Sequence, residues 1–225
     1  MAVVGITGPI GAGKSIVADW FRDQGAEMLD ADRMAHRLLE PSQPTFRRIV
    51  EAFGGDVLDD QGRIDRRRLG QAAFQCPERL QRLNGIVHPP LVKQLRERME
   101  GFRASPSANV LAIDAALLFQ WGLEQECDLV IWLDAPREVR LRRTLEHGRF
   151  DATEFERRDR LQQPLFDGAV ENQSIVKINN TGTCKELIES IQTFWKRVSD
   201  NEIEKHDRAQ SKERQSNRTE LRGRR

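Results

Sequence analysis

Cysteine is scarce and scattered. Only Cys76, Cys127 and Cys184 occur in 225 residues, and no two of them form a C-x-x-C pair. A disulfide framework or a thiolate metal site is therefore not expected, and the thiols suit a reduced, cytoplasmic protein. Net charge is nearly absent too: 36 Lys and Arg against 35 Asp and Glu leave +1. That excludes nucleic-acid binding through overall charge, though not through a local basic patch. No apolar run approaches the roughly 18 residues of a transmembrane helix. No basic residue precedes Lys14, so the apolar start reads as a strand and not as a signal peptide. Internal repeats are lacking. So is an N-K-x-D guanine-reading sequence, which disfavours a GTPase.

What the chain does have is Gly8-Pro9-Ile10-Gly11-Ala12-Gly13-Lys14-Ser15. This fits G-x-x-x-x-G-K-[ST], the phosphate-binding P-loop. Glycines let the backbone turn tightly, so that successive N–H groups face phosphate oxygens. Lys14 would set its ammonium against the β- and γ-phosphates of ATP, and the Ser15 hydroxyl would ligate Mg²⁺. The context agrees. Ala2–Thr7 is an apolar run of the buried-strand type. Val17, Trp20, Phe21 and Gln24 then follow at helical spacing, with Gly25 as the stop. Pro9 stiffens the loop and removes one donor.

Further strands are expected at 26–30, 109–114, 129–134 and 174–179. Ligands of an open parallel sheet collect beyond the C-terminal ends of its strands, which draws attention to the acids there. Asp30 and Asp32 lie at that edge: one of them is a base for an acceptor hydroxyl or a partner behind the metal, or else Asp32 is the N-cap of the next helix, and the residues alone do not choose. Asp114 closes an apolar strand, as the second metal-binding element of P-loop proteins does. From 44 to 102 the pattern is helical, with Asp65 placed to cap a helix through Phe74. Apolar stripes run through Phe46, Ile49, Val50 and Phe53, through Leu80, Leu83 and Val87, and through Leu91, Leu95 and Met99. His88-Pro89-Pro90 is expected to interrupt the helix between the last two stripes.

Arginines gather in two places. Arg63, Arg66, Arg67 and Arg68 flank a turn, near Arg33, His36 and Arg37 in sequence pattern; they read as a solvated face or as a grip on an anion. Arg137, Arg140, Arg142 and Arg143 follow the fourth strand, and Arg149, Arg157, Arg158 and Arg160 continue the series. Such a segment could close over a nucleotide and bring cations to the phosphoryl group, or it could pair internally with Glu146, Glu154 and Glu156. Asn180-Thr181-Gly182 is a turn before a helix to about Val198. Beyond 199 apolar residues almost vanish, and disorder is expected.

The ordered set of motifs resembles the dephospho-coenzyme A kinases. It comprises Gly5-Ile6-Thr7-Gly8 with the P-loop, Leu29-Asp30-Ala31-Asp32, Leu39-Glu40-Pro41 and Phe53-Gly54-Gly55-Asp56-Val57-Leu58. Gly62-Arg63-Ile64-Asp65-Arg66 with Leu69, His88-Pro89, 114–120, 134–143 and Asn180-Thr181-Gly182 complete it. The chain departs from the family pattern at Pro9 and Ile16. It also departs in 114–120, where Ala116 and Gln120 replace Pro and Glu of D-x-P-L-L-F-E.

The resemblance implies transfer of the γ-phosphoryl of ATP to the ribose 3′-hydroxyl of dephospho-CoA. It implies an α/β P-loop fold: a five-stranded parallel sheet flanked by helices, with a helical CoA-binding insert and a lid. It assigns ATP binding to Gly11, Ala12, Gly13, Lys14, Ser15 and Ile16, the base to Asp32, and the nucleotide-closing helix to Arg140 and Arg143. The expected layout is a kinase domain over 1–198, with core at 1–31, 108–140 and 174–198. The insert is expected at 32–107, the lid at 141–173 and a charged tail at 199–225. A monomer is expected, without nucleic-acid or membrane partners. Two alternatives stay open: another small-molecule kinase of this fold, and a nucleotide-binding regulatory module without turnover.

Overall fold

A computed structural model describes residues 1–148, 151–166 and 174–199. Arg149, residues 167–173 of the expected lid, and the expected tail beyond Ser199 lie outside the described residues. In chain order the elements are β1 (Ala2–Thr7), α1 (Lys14–Asp23), β2 (Glu27–Asp30), α2 (Ala31–Arg37), α3 (Pro44–Phe53) and α4 (Arg66–Ala73). Then come α5 (Pro77–Ala104), β3 (Val110–Asp114), β4 (Leu129–Asp134), α6 (Arg137–Glu146), α7 (Ala152–Phe166), β5 (Ile175–Asn179) and α8 (Cys184–Ser199). The strands form one parallel sheet in the order β2-β3-β1-β4-β5, flanked by helices. The chain divides into two compact units: Met1–Met28 with everything from Pro106 on, and Leu29–Ser105.

In the first unit β1 is buried at all six positions. A strand covered on both faces is apolar along nearly its whole length, which is why it reads as a continuous run up to the polar Thr7 at its end. Parallel registers set Ile6 opposite Asp114 on β3 and Ile131 on β4. Val4, Ile6, Ile131 and Leu133 pack with Val17 and Phe21 of α1 and with Leu187 and Ile191 of α8. The rings of Trp20, Phe21 and Trp195 meet edge to face at 5.3–5.6 Å between centroids, the geometry their quadrupoles favour. The effect of this layer is to fix α1, and with it the loop between β1 and α1.

The second unit is helical. Ile49, Phe53, Val57, Leu69, Ala73 and Ile86 form its core. Asp65 caps α4 by accepting the N–H groups of Arg67 and Arg68 at 2.8 and 3.1 Å, as its place before an arginine-rich turn predicts. One expectation is corrected here. His88-Pro89-Pro90 does not interrupt the chain; α5 runs unbroken for 28 residues with both prolines inside it. Two missing N–H donors cost local helix stability. The buried series Ile86, Leu91, Leu95, Met99 and Phe102 holds both halves in one packed stripe, and tertiary burial overrides the propensity.

His88 is half-buried in this helix, and desolvation lowers its pKa from the ordinary 6.5. The folded state thus binds the proton less readily than the unfolded one. Its contribution to stability is present above pH 6.5 and is lost as pH falls from there toward the folded value. The urea midpoint should therefore be lower at pH 5.5 than at pH 7.5. His88→Gln should lessen this dependence, and an unchanged slope in the variant would remove His88 as a source of it.

Candidate active site

The loop leaving β1 is built by its glycines. Gly8, Gly11 and Gly13 all have positive φ. At Gly13, φ is +105° and an added Cβ would stand 2.5 Å from Asn180 Nδ2, so conformation and close approach both require glycine. The loop then opens directly into α1, whose first residue is Lys14. The helix dipole adds positive potential where the loop's N–H groups gather.

A loop that turns its N–H groups inward must turn its carbonyls outward, and those carbonyls need donors. Side chains supply them. Lys14 Nζ donates to the carbonyls of Gly8 at 2.7 Å and Pro9 at 3.2 Å. Arg140 Nη1 donates to Ile10 O at 3.2 Å. Asn180 Nδ2 donates to Ala12 O at 2.9 Å. Two amides are also held: Ile10 N–H donates to Gln162 Oε1 at 2.7 Å, and Ala12 N–H donates to Pro9 O at 3.2 Å.

Each of these groups is itself anchored. Arg140 is 8% exposed. Its Nε donates to Ala135 O at 2.9 Å and its Nη1 pairs with Asp159 at 2.5 Å. A buried pair of this kind contributes little net stability but fixes geometry, because either charge alone would be costly. Thr144 donates back to Arg140 O at 2.8 Å. Asn180 donates its own N–H to Asp134 O at 2.7 Å. Arg143 crosses to the same turn, donating to Asn180 O at 2.9 Å and Gly182 O at 3.0 Å.

Of the residues expected at the site, Gly8, Gly11, Ala12 and Gly13 thus lie in the loop and Lys14, Ser15 and Ile16 in the first turn of α1, with Arg140 bonded to the loop and Arg143 to the turn of Asn180. Ser15 is exposed at the start of α1, while Asp114 ends β3 on the strand adjoining β1. A serine hydroxyl and one carboxylate suit Mg²⁺, which is commonly held by one or two side chains together with substrate phosphates and water. Among the described residues no cluster of three His, Cys, Asp or Glu forms a self-contained cation cage. Asp32 belongs to the helical unit, exposed in the first turn of α2. Its capping alternative is overturned. Asp30 is the cap, accepting the Arg33 N–H at 2.9 Å. Of the acidic arginine partners, Glu154 pairs with Arg157 and Arg158 at 2.5 and 2.6 Å, and Glu146 with Arg142 at 3.9 Å. In the helical unit His36 meets Arg66 at 3.1 Å. Partial desolvation and then that guanidinium lower the His36 pKa, against the pull of Asp32 and Asp30.

Asn180, Asp159 and Gln162 were not singled out as site residues in the sequence. Asn180 carried a signal, since it stands just past the C-terminal end of a strand, where such sites form. Gln162 and Asp159 carried none: a polar residue on a charged helix looks like surface.

Over residues 2–186 the chain matches the family model for dephospho-CoA kinase. It is similar to the dephospho-CoA kinase of Corynebacterium jeikeium, 36% identical over 196 residues, which cover 87% of this chain and 98% of that protein. The dephospho-CoA kinase of Bacillus licheniformis is 37% identical over 185 residues, 82% of this chain and 90% of its own. Among solved structures, TT1252 from Thermus thermophilus superposes with a TM-score of 0.68 at 29% identity, covering 88% of this chain and 97% of that one.

Asn180→Asp replaces the donor facing Ala12 O by an acceptor while leaving the backbone contacts of Arg143 in place. It should lower the unfolding free energy by about 1–3 kcal/mol, the cost of a buried polar group left unpaired. Urea unfolding at neutral pH reads this directly, and a variant as stable as the parent would remove Asn180 from the support of the loop.

Proposed function

The chain belongs to the dephospho-CoA kinase family, whose members phosphorylate dephospho-CoA to coenzyme A, and we propose how its own residues carry that reaction. The reading is carried by one observation: a phosphate loop whose outward carbonyls are held by Lys14, Arg140 and Asn180. The backbone of the loop is thereby held in place before an anion arrives, which is preorganisation.

In this reading ATP is the co-substrate and its phosphates lie in the loop of Gly8 and Gly11–Ile16. Lys14 meets the β- and γ-phosphates. Ser15 and Asp114 would hold Mg²⁺, which when bound neutralises charge on the phosphate oxygens. Asp32 takes the proton of the ribose 3′-hydroxyl as that oxygen bonds to the γ-phosphorus, and the bond to the ADP oxygen breaks. Arg140 and Arg143 supply cations from the nucleotide-closing helix. Catalysis is then positioning and charge neutralisation, with no covalent intermediate on the protein. Residues 32–107 are the acceptor-binding insert and 141–173 the lid. The protein acts as a cytoplasmic monomer without a nucleic-acid partner. Among the described residues no helix is long and apolar enough to cross a membrane.

Two variants test the roles. Lys14→Ala should abolish turnover with the circular dichroism spectrum unchanged, and near-parental activity would refute the phosphate assignment. Asp32→Asn should lower kcat by roughly 10²–10⁴-fold, the usual range of general-base catalysis, with ATP affinity kept. Equal losses in both quantities would reduce Asp32 to a structural residue.

A further inference from the structure

Helix α7 presents one continuous stripe: Phe155, Asp159, Gln162 and Phe166, at spacings of four, three and four. That is the period of a single helical face. Its two ends are aromatic. Phe155 is fully buried, with the Arg137 and Arg140 guanidinium carbons 5.9 and 5.7 Å from its ring. Phe166 stacks on Trp132 at 5.8 Å and 17°, and meets Phe119 edge to face at 6.0 Å. The two middle positions are polar, and both address one residue of the phosphate loop. Gln162 Oε1 accepts the Ile10 N–H directly. Asp159 holds Arg140, which donates to the Ile10 carbonyl. The peptide groups on both sides of Ile10 are thus fixed from α7, one by contact and one through an arginine.

We propose that Gln162 is a positioning residue for phosphoryl transfer. It locks the Ile10 amide outward, onto α7, so that the following turn at Gly11 presents the loop to the phosphates in a single conformation. The physical case rests on what the alternatives would be. With Pro9 carrying no N–H, Ile10 is the first donor after Gly8. Unheld, its amide would be free to rotate toward the anion or toward the loop's own carbonyls, and the phosphate position would blur. Small losses of alignment cost rate more than they cost affinity. The aromatic ends explain how a polar contact in the middle of α7 stays in register: they dock the helix, and Asp159 and Gln162 then read the loop. The proposal rests on the kinase reading above for its rate effect, but not for its structural effect.

The test compares Gln162→Met, which keeps length and loses the acceptor, with Gln162→Glu, which keeps an acceptor oxygen. Amide hydrogen exchange at Ile10 is measured by NMR in the nucleotide-free protein. Mg·ATP affinity is measured by titration, and kcat and KM with dephospho-CoA by steady-state kinetics. Gln162→Met should speed Ile10 exchange roughly tenfold or more, the scale of one lost hydrogen bond, with β1 amides unchanged. It should lower kcat by roughly tenfold and leave KM for dephospho-CoA unaltered. Gln162→Glu should keep Ile10 protected and recover the larger part of kcat. The proposal is overturned if Ile10 exchange is unchanged in the methionine variant. It is overturned equally if exchange quickens while kcat holds, or if the glutamate variant is as impaired as the methionine one. If Gln162→Met does not fold, Ile10 exchange in the unaltered chain decides, and a rate matching exposed loop amides overturns it. Failure of the unaltered chain to phosphorylate dephospho-CoA would instead refute the proposed function, and Ile10 exchange would still report the contact.

Discussion

Backbone polarity is the constraint on which this active-site architecture depends. A peptide loop cannot aim several N–H groups at an anion without aiming its carbonyls elsewhere, and buried carbonyls need donors. Here the donors come from three elements: Lys14 opens α1 directly after the loop, while Arg140 on α6 and Asn180 after β5 come from far along the chain. Placing β1 between β3 and β4, with β5 beyond, brings those elements to one end of the sheet. The strand order therefore supplies more than a core. It delivers donors to the outer side of a loop whose inner side is reserved for phosphate.

This arrangement also accounts for the glycines. At Gly13 the Asn180 amide occupies the space a side chain would need. The residue that supports Ala12 O is thus the one that keeps position 13 bare. Support and access are solved by the same contact. Arg143, bonded to the carbonyls of Asn180 and Gly182, then ties that turn to α6, so that loop, turn and helix form one hydrogen-bonded set.

How much of this was legible in the sequence depends on the range of the interactions. Strands β1 and β4 were read with their observed bounds, Ala2–Thr7 and Leu129–Asp134, because burial on both faces demands an apolar run. The Asp65 cap was legible because capping is local. The helix break at His88-Pro89-Pro90 was misread: proline's penalty is local, and the stripe that outweighs it is a tertiary fact. The cap of α2 was offered to Asp32 as one of its readings, and the structure gives it to Asp30. Least legible were the supports of the loop. Ala12 meets Asn180 across 168 residues and Ile10 meets Gln162 across 152. No periodicity or spacing within a segment encodes such a pairing; only the assembled sheet creates it.

The most direct test of the account is phosphoryl transfer from Mg·ATP by the full chain to a small set of acceptors: dephospho-CoA, AMP, adenosine, pantothenate and gluconate. The account predicts turnover confined to dephospho-CoA, with the new phosphate on the ribose 3′-oxygen. Turnover on another acceptor instead, or ATP binding with no product from any of them, would contradict it.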